Sequence, residues 1–177
     1  MRVLVTYSSA FGTTKEVAEY IAVTLNTDPS FQVALRPVDE VESVDEFDSV
    51  IVGSSIRADR ILANVRDFLT RYRKSLVFKK FSLFVVCLTA STEEGRDKAK
   101  RKYIDQELER YPEIQPLNTA AFGGRISSAN LNPVMQILMK RVLNEIGLPN
   151  KEEINAQDWD TIRRWTQKLR DQLKAAA

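Results

Sequence analysis

The chain has no histidine and only one cysteine among its 177 residues. Without histidine it has neither Ser-His-Asp nor Cys-His catalysis, and it has no histidine-bound metal. The single cysteine, Cys87, lies in an apolar run typical of a buried strand, so we expect an unreactive thiol and no internal disulfide. A chain with no histidine and one buried cysteine carries out redox chemistry most easily with a bound cofactor.

Long apolar runs are also missing. No stretch is long enough to cross a bilayer and the N-terminus lacks a signal-peptide pattern, so we expect a cytoplasmic protein. The composition is 44% hydrophobic and 28% charged, which is typical of a globular protein, and the length suits a single domain over residues 1–177. The formal net charge of +2 suits an anionic substrate or an anionic membrane surface, and a mixed solvated surface is the alternative.

Glycine is scarce in the loop that follows the first apolar run, where Gly12 stands alone. A dinucleotide-binding loop needs three spaced glycines, and a mononucleotide-binding loop needs a second glycine followed by lysine, so both are excluded. What is present is a β-branched strand, the hydroxyl residues Ser8, Ser9, Thr13 and Thr14, and then a helical pattern. A hydroxyl-rich loop entering a helix N-terminus predicts an anion site. An ordinary serine-capped helix is the alternative.

Strand patterns alternate with helical patterns along the rest of the chain. The predicted strands are Arg2–Tyr7, Gln32–Pro37, Ser49–Gly53, Phe81–Leu88 and Leu117–Phe122. The predicted helices are Thr13–Leu25, Ile61–Tyr72, Glu93–Tyr111, Asn132–Ile146 and Asp158–Lys174. This alternation indicates an α/β fold with a parallel sheet between two helical layers. Ligands of such sheets bind beyond the carboxyl ends of the strands, which places the site in four loops. These loops are Ser8–Thr14, Ser54–Arg60, Thr89–Arg96 and Gly123–Asn130.

The first of these loops resembles the phosphate loop of flavodoxin-like proteins, with Phe11 in place of a threonine. The resemblance implies a flavodoxin-like three-layer sandwich, a five-stranded parallel sheet in the order 2-1-3-4-5, and FMN as cofactor. By the same resemblance, the FMN phosphate is contacted by the hydroxyls of Ser9, Thr13 and Thr14 and by the N–H groups of Ala10, Phe11 and Gly12. Ser8 belongs to the same predicted site.

The second loop narrows the resemblance. The segment from Gly53 to Arg57 is similar to the Gly-[AS]-Ser-Ile-Arg segment of the menaquinone-dependent protoporphyrinogen oxidases. This similarity places Arg57 near the pyrimidine side of the flavin, where positive charge favours the reduced form. Arg60 and Arg125 are the candidates for binding substrate carboxylates. Solvated arginines, or a structural turn at Arg125, are the alternatives.

The remaining predicted flavin contacts lie at the other loops of the same sheet edge. They are Ser54, Ser55, Ile56, Thr89, Ala90, Ser91, Gly123 and Gly124. Electron-carrier flavodoxins usually stack aromatic side chains from the loops after the third and fourth strands on the flavin, and they are typically strongly acidic. This chain has no aromatic residue in either loop and is slightly basic. An uncovered flavin face admits a flat organic partner.

A methionine-rich, basic helix is predicted over residues 132–146, inside an extra helical segment, 126–150, that follows the fifth strand. It carries more apolar residues than one buried stripe needs, so it packs in the core or faces a partner, a quinone or a lipid surface. The protoporphyrinogen oxidase group has a similar helix, followed by Asp-Trp at the start of the last helix. Here Asp158 is predicted to cap that helix, and Trp159 to anchor its packing.

Taken together, the resemblance implies an FMN-dependent oxidoreductase. It would pass reducing equivalents from a tetrapyrrole-like substrate through FMN to a quinone, in contact with the cytoplasmic membrane face or free of it. The flavin performs the chemistry, so no catalytic residue is assigned, and neither a metal nor a nucleic-acid partner is expected. Three alternatives stay open: a flavodoxin-type electron carrier with a protein redox partner, a general FMN-dependent quinone reductase, and a non-redox module that has lost its flavin.

Overall fold

A computed structural model describes residues 1–127, 136, 137, 140, 141, 143, 144, 147, 149 and 152–176. Its strands are β1 (Arg2–Ser8), β2 (Gln32–Pro37), β3 (Ser49–Arg57), β4 (Arg60–Ile61), β5 (Lys80–Cys87), β6 (Asn118–Gly123), β7 (Arg125–Ser127) and β8 (Glu153–Asn155). Its α-helices are α1 (Thr13–Asn26), α2 (Ala63–Leu76), α3 (Glu93–Ala99), α4 (Gln106–Leu108) and α5 (Trp159–Ala175). Short 3₁₀ turns cover Val38–Glu40 and Leu88–Ser91, and a π-helical segment covers Lys100–Asp105.

The main sheet confirms the predicted topology. Its five parallel strands run in the order β2-β1-β3-β5-β6, and the short strand β4 pairs antiparallel with β3. These are the five predicted strands in the order 2-1-3-4-5. The central strands are buried on both faces, which explains why they are short, nearly continuous apolar runs rather than alternating ones.

Helices cover both faces of the sheet because alternate strand residues point to opposite sides. On one side Val3 and Val5 pack with the buried faces of α1 and α5, including Ile21 and Leu169. On the other side a second core joins β1 to α2 and the π-helical segment. Its members include Leu4, Val50, Val52, Leu69, Tyr103 and Ile104.

Several predicted boundaries are wrong. The helix predicted over Ile61–Tyr72 is α2, which covers Ala63–Leu76. The sequence placed a loop at residues 54–60, but β3 continues to Arg57 because Ser54 and Ser55 go on pairing with β5. A two-residue turn, Ala58–Asp59, then leads into β4. The helix predicted over Glu93–Tyr111 is continuous only to Leu108, and a π-helical stretch divides it into α3 and α4.

The extra segment after the fifth strand was predicted to be helical from residue 126. Instead Ile126 lies in β7, which pairs antiparallel with β8. Residues 136, 137, 140, 141, 143 and 144 are helical, in agreement with the prediction for 132–146, and the other residues of that predicted helix lie outside the described part of the chain. In the part that is described, no helix is long and apolar enough to cross a membrane.

Candidate functional site

The loop before α1 is held in place by its own hydroxyl groups. The N–H of Gly12 donates to Ser9 Oγ at 2.9 Å, and the N–H of Ala10 donates to Ser55 Oγ at 3.0 Å. The hydroxyls of Ser55 and Thr14 lie 2.7 Å apart. Gly12 has a φ of 90°, a left-handed conformation that strains any residue with a side chain. The turn into α1 is therefore held together by hydroxyl and N–H groups, several of which were predicted to contact the phosphate.

A cavity of about 380 Å³ opens beside this turn, at the carboxyl edge of the sheet. Nine residues that the sequence predicted as site residues line it: Phe11, Thr13, Thr14, Ser55, Ile56, Arg57, Thr89, Gly124 and Arg125. The structure thus brings together residues from all four predicted loops.

The other predicted site residues do not line this cavity: Ser8, Ser9, Ala10, Gly12, Ser54, Arg60, Ala90, Ser91 and Gly123. Ser54 is fully buried; its hydroxyl donates to the Ser55 carbonyl oxygen at 2.9 Å and accepts the N–H of Leu62 at 3.1 Å. Gly123 allows close packing, because a Cβ there would lie 1.8 Å from the carbonyl oxygen of Ala156. Arg60 is exposed on β4.

Sequence reasoning missed several cavity-lining residues. They are Ala58, Asp59, Val86, Cys87, Leu88, Lys102, Tyr103, Ile126 and Arg141. Burial raises the pKa of the Cys87 thiol to about 11, above its ordinary value, despite hydrogen bonds from the Ala90 and Thr89 N–H groups that act to lower it. This thiol is protonated at neutral pH, as expected for an unreactive cysteine.

Arg125, a charged residue of the cavity wall, is held by a specific partner. Arg125 Nη2 lies 2.5 Å from Glu16 Oε1 in the first turn of α1, and the side-chain amide of Gln157 donates to Glu16 Oε2 at 3.2 Å. The Thr13 hydroxyl also donates to the carbonyl oxygen of Arg125 at 3.2 Å. Glu16 therefore joins the start of α1 to β7 and to the segment that follows β8.

A second charged group includes Asp59, Lys102 and Tyr103. Partial burial acts to raise the pKa of Asp59, but hydrogen bonds and positive charge from Lys102, together with the Tyr103 hydroxyl, hold it below its ordinary value. Burial and the hydrogen bond to Asp59 raise the pKa of Tyr103 well above its usual range. Both groups keep their ordinary neutral-pH forms, a carboxylate and a phenol.

The residues of this site fit FMN. The N–H groups of Thr13, Thr14 and Lys15 lie in the first turn of α1, where the helix supplies no acceptor for them, so they can bind a phosphate. Ile56, Val86, Leu88 and Ile126 give the adjoining cavity apolar walls suited to a planar ring system.

Comparison with known proteins agrees with this assignment. A family model described as a flavodoxin domain matches residues 4–152. The chain is also 21% identical to the protoporphyrinogen IX dehydrogenase [quinone] of Escherichia coli K12, over 96% of this chain and 94% of that protein.

Solved structures resemble the fold. A short-chain flavodoxin associated with a PDU bacterial microcompartment has a TM-score of 0.62 at 12% identity, covering 100% of this chain and 99% of the other. Oxidised flavodoxin 1 from Bacillus cereus has a TM-score of 0.53 at 17% identity, covering 80% and 97%. Two-electron reduced Megasphaera elsdenii flavodoxin has a TM-score of 0.54 at 20% identity, covering 68% and 85%. With the family match extending over most of its length, the chain belongs to the flavodoxin-domain family and binds FMN.

Proposed function

We propose that this protein is an FMN-dependent oxidoreductase that passes reducing equivalents from a flat, anionic organic substrate of the tetrapyrrole type to a quinone. The observation that carries the proposal is the composition of the cavity wall, in which apolar side chains occur together with four cationic residues, Arg57, Lys102, Arg125 and Arg141, and one carboxylate, Asp59. A planar substrate with carboxylate groups complements such a wall. Similarity to the E. coli protoporphyrinogen IX dehydrogenase over nearly its whole length supports the same reaction.

The chain's own residues bind and orient the cofactor. In this proposal, the N–H groups of Thr13 and Thr14 would hold the phosphate, while Ile56, Arg57 and Thr89 would line the region of the ring system. When bound, FMN supplies reversible uptake and release of reducing equivalents. Arg57 is exposed at the end of β3, and its positive charge stabilises negative charge that develops nearby.

Arg60 and Arg125 differ as candidates for binding substrate carboxylates. Arg125 lines the cavity but is paired with Glu16, whereas Arg60 lies on β4 outside the lining. Arg57 lines the cavity and is exposed, so it is the first residue to test for interaction with an anionic substrate.

The test is an anaerobic turnover assay on FMN-saturated protein, with protoporphyrinogen as donor and a menaquinone analogue as acceptor. We expect porphyrin fluorescence to rise above the no-protein blank only when both FMN and the quinone are present. Arg57→Gln should lower kcat/KM about tenfold, which corresponds to the loss of one charge-assisted contact. Arg73→Gln, on the exposed face of α2, is the matched control and should leave kcat/KM unchanged.

Bound FMN without porphyrin formation would contradict the proposal. In that case reduction by a redox protein would favour an electron carrier, and direct turnover of a nicotinamide donor with quinone would favour a general quinone reductase.

A further inference from the structure

Three side chains from two separate elements meet at the cavity wall. Lys102 Nζ lies 2.6 Å from Asp59 Oδ2, and the Tyr103 hydroxyl donates to Asp59 Oδ1 at 2.6 Å. All three residues line the cavity. We propose that Lys102 and Tyr103 are positioning residues that act through Asp59: they clasp the β3–β4 hairpin and thereby set the shape of the FMN cavity.

The hairpin needs an external restraint. Ala58 and Asp59 have φ values of 48° and 62°, a left-handed conformation that is unfavourable for residues with a side chain. The ribbon has only two residue pairs, Ile56 with Ile61 and Arg57 with Arg60. So short a two-stranded ribbon is marginally stable by itself. The contacts to Asp59 offset the cost of its turn.

The two consecutive residues that reach the Asp59 carboxylate belong to a π-helical segment. In a regular α-helix, consecutive side chains project about 100° apart around the axis and do not face each other. Lys102 and Tyr103 lie within the π-helical stretch Lys100–Asp105, where the wider turn changes these directions. Such segments are rare and occur frequently at functional sites.

The clasp joins a rigid part of the molecule to an exposed one. Tyr103 is only 7% exposed and belongs to the same core as Ile104 and the central strands. Residues 57–60 of the hairpin are exposed. The hydrogen bond between Tyr103 and Asp59 therefore connects the exposed turn, which adjoins the cavity-lining residue Arg57, to this buried core. We expect that loss of the clasp loosens the hairpin and speeds FMN release.

The test compares two buried tyrosines. Tyr103→Phe removes only the hydroxyl that contacts Asp59. Tyr111→Phe is the matched control, because Tyr111 is equally buried in the same core and its hydroxyl lies 2.9 Å from Thr70 Oγ1, away from the cavity lining. Amide hydrogen exchange of residues 57–61 is measured on the ligand-free proteins. We expect Tyr103→Phe to speed exchange there about tenfold, as for losing a hydrogen bond to a charged group, and Tyr111→Phe to leave it unchanged.

The lysine is tested in the same way. Lys102→Gln should also speed exchange in the hairpin, and Lys102→Arg should restore protection because it keeps the ion pair. On FMN-loaded protein, Tyr103→Phe and Lys102→Gln should raise the rate constant of FMN dissociation in stopped-flow experiments, whereas Tyr111→Phe should not.

Unchanged exchange in Tyr103→Phe, or an equal effect in Tyr111→Phe, would overturn the clasp. The exchange measurement needs neither FMN nor a substrate. An absence of porphyrin formation would therefore reject the proposed function and leave the result for the clasp standing.

Discussion

At Gly53, in the centre of the sheet, a neighbouring side chain restricts which residue type fits. It pairs with Phe84 on β5, and a Cβ at Gly53 would lie 2.3 Å from Phe84 Cζ. Phe84 is fully buried. The centroid of its ring lies 5.8 Å from that of the Phe122 ring and 6.1 Å from that of the Trp165 ring. A side chain at position 53 would therefore force this buried aromatic group to shift.

We therefore expect Gly53→Ala to lower the free energy of unfolding by about 1–3 kcal/mol, the usual cost of overpacking a core. Urea denaturation followed by circular dichroism measures it. Gly124→Ala is the control: a Cβ there would meet Val86 at 3.4 Å, an ordinary contact, so its effect should be smaller. Equal losses in the two variants would show that the Phe84 ring does not set the limit.

At the scale of elements, side-chain caps mark the start of two helices. Asp158 caps α5 by accepting the N–H of Thr161 at 3.0 Å, as predicted. Thr92 caps α3 by accepting the N–H of Gly95 at 3.0 Å. These caps are local, with donor and acceptor three residues apart. Trp159, predicted as a packing anchor, is 40% exposed and contacts Tyr20 across a centroid distance of 5.4 Å.

The contact between α1 and β7 was not predictable in this way. Arg125 and Glu16 are 109 residues apart, and no local pattern relates them. Glu16 would place a negative charge one turn from the proposed phosphate site, and the guanidinium of Arg125 neutralises it. The pairing of these two elements thus bears on cofactor binding as well as on the position of β7.

This pairing predicts a phosphate-dependent effect. Arg125→Gln should weaken FMN binding about fivefold, which corresponds to about 1 kcal/mol of uncompensated charge. Riboflavin, which has no phosphate, should bind with unchanged affinity. The double variant Glu16→Gln/Arg125→Gln should recover most of the FMN affinity, because it removes both charges. Flavin fluorescence titration gives the dissociation constants, and an equal loss for both flavins would contradict this electrostatic explanation.

At the scale of the whole molecule, several ion pairs join segments that are distant in sequence. Lys174 in α5 contacts Asp28 after α1, and Arg96 in α3 lies 3.8 Å from Asp158. Hydrogen bonds from Lys174 and Ser30 hold the pKa of Asp28 well below its ordinary value. Hydrogen bonds from Thr161, with positive charge from Arg96, lower the pKa of Asp158.

Carboxyl groups with lowered pKa values stabilise the fold in their charged form. That contribution is complete above their unfolded value of 3.8 and is lost as the pH falls toward the lower folded values. Burial raises the pKa of Glu107, which opposes this trend. With no histidine to titrate, we expect the urea midpoint to stay constant from about pH 7 to 5 and to fall below about pH 4.

In the Asp28→Asn and Asp158→Asn variants, the urea midpoint should fall less steeply below about pH 4 than in the unmodified protein. A midpoint that already falls between pH 7 and 5 would contradict the expectation.

The sequence by itself determined the alternation of strands and helices, the hydroxyl-rich loop before α1 and the cap of α5, because each depends on residues that are close in sequence and on short-range apolar periodicity. The order of the strands in the sheet followed from the family resemblance, and the structure confirms it. Only the tertiary structure decided the length of β3, the cavity wall and the charge pairs. Tyr103 and Asp59 are 44 residues apart, and the sequence pattern predicted a continuous helix where the structure has the π-helical segment that contains Tyr103. Contacts between side chains on separate elements depend on how those elements pack, which local propensity does not encode.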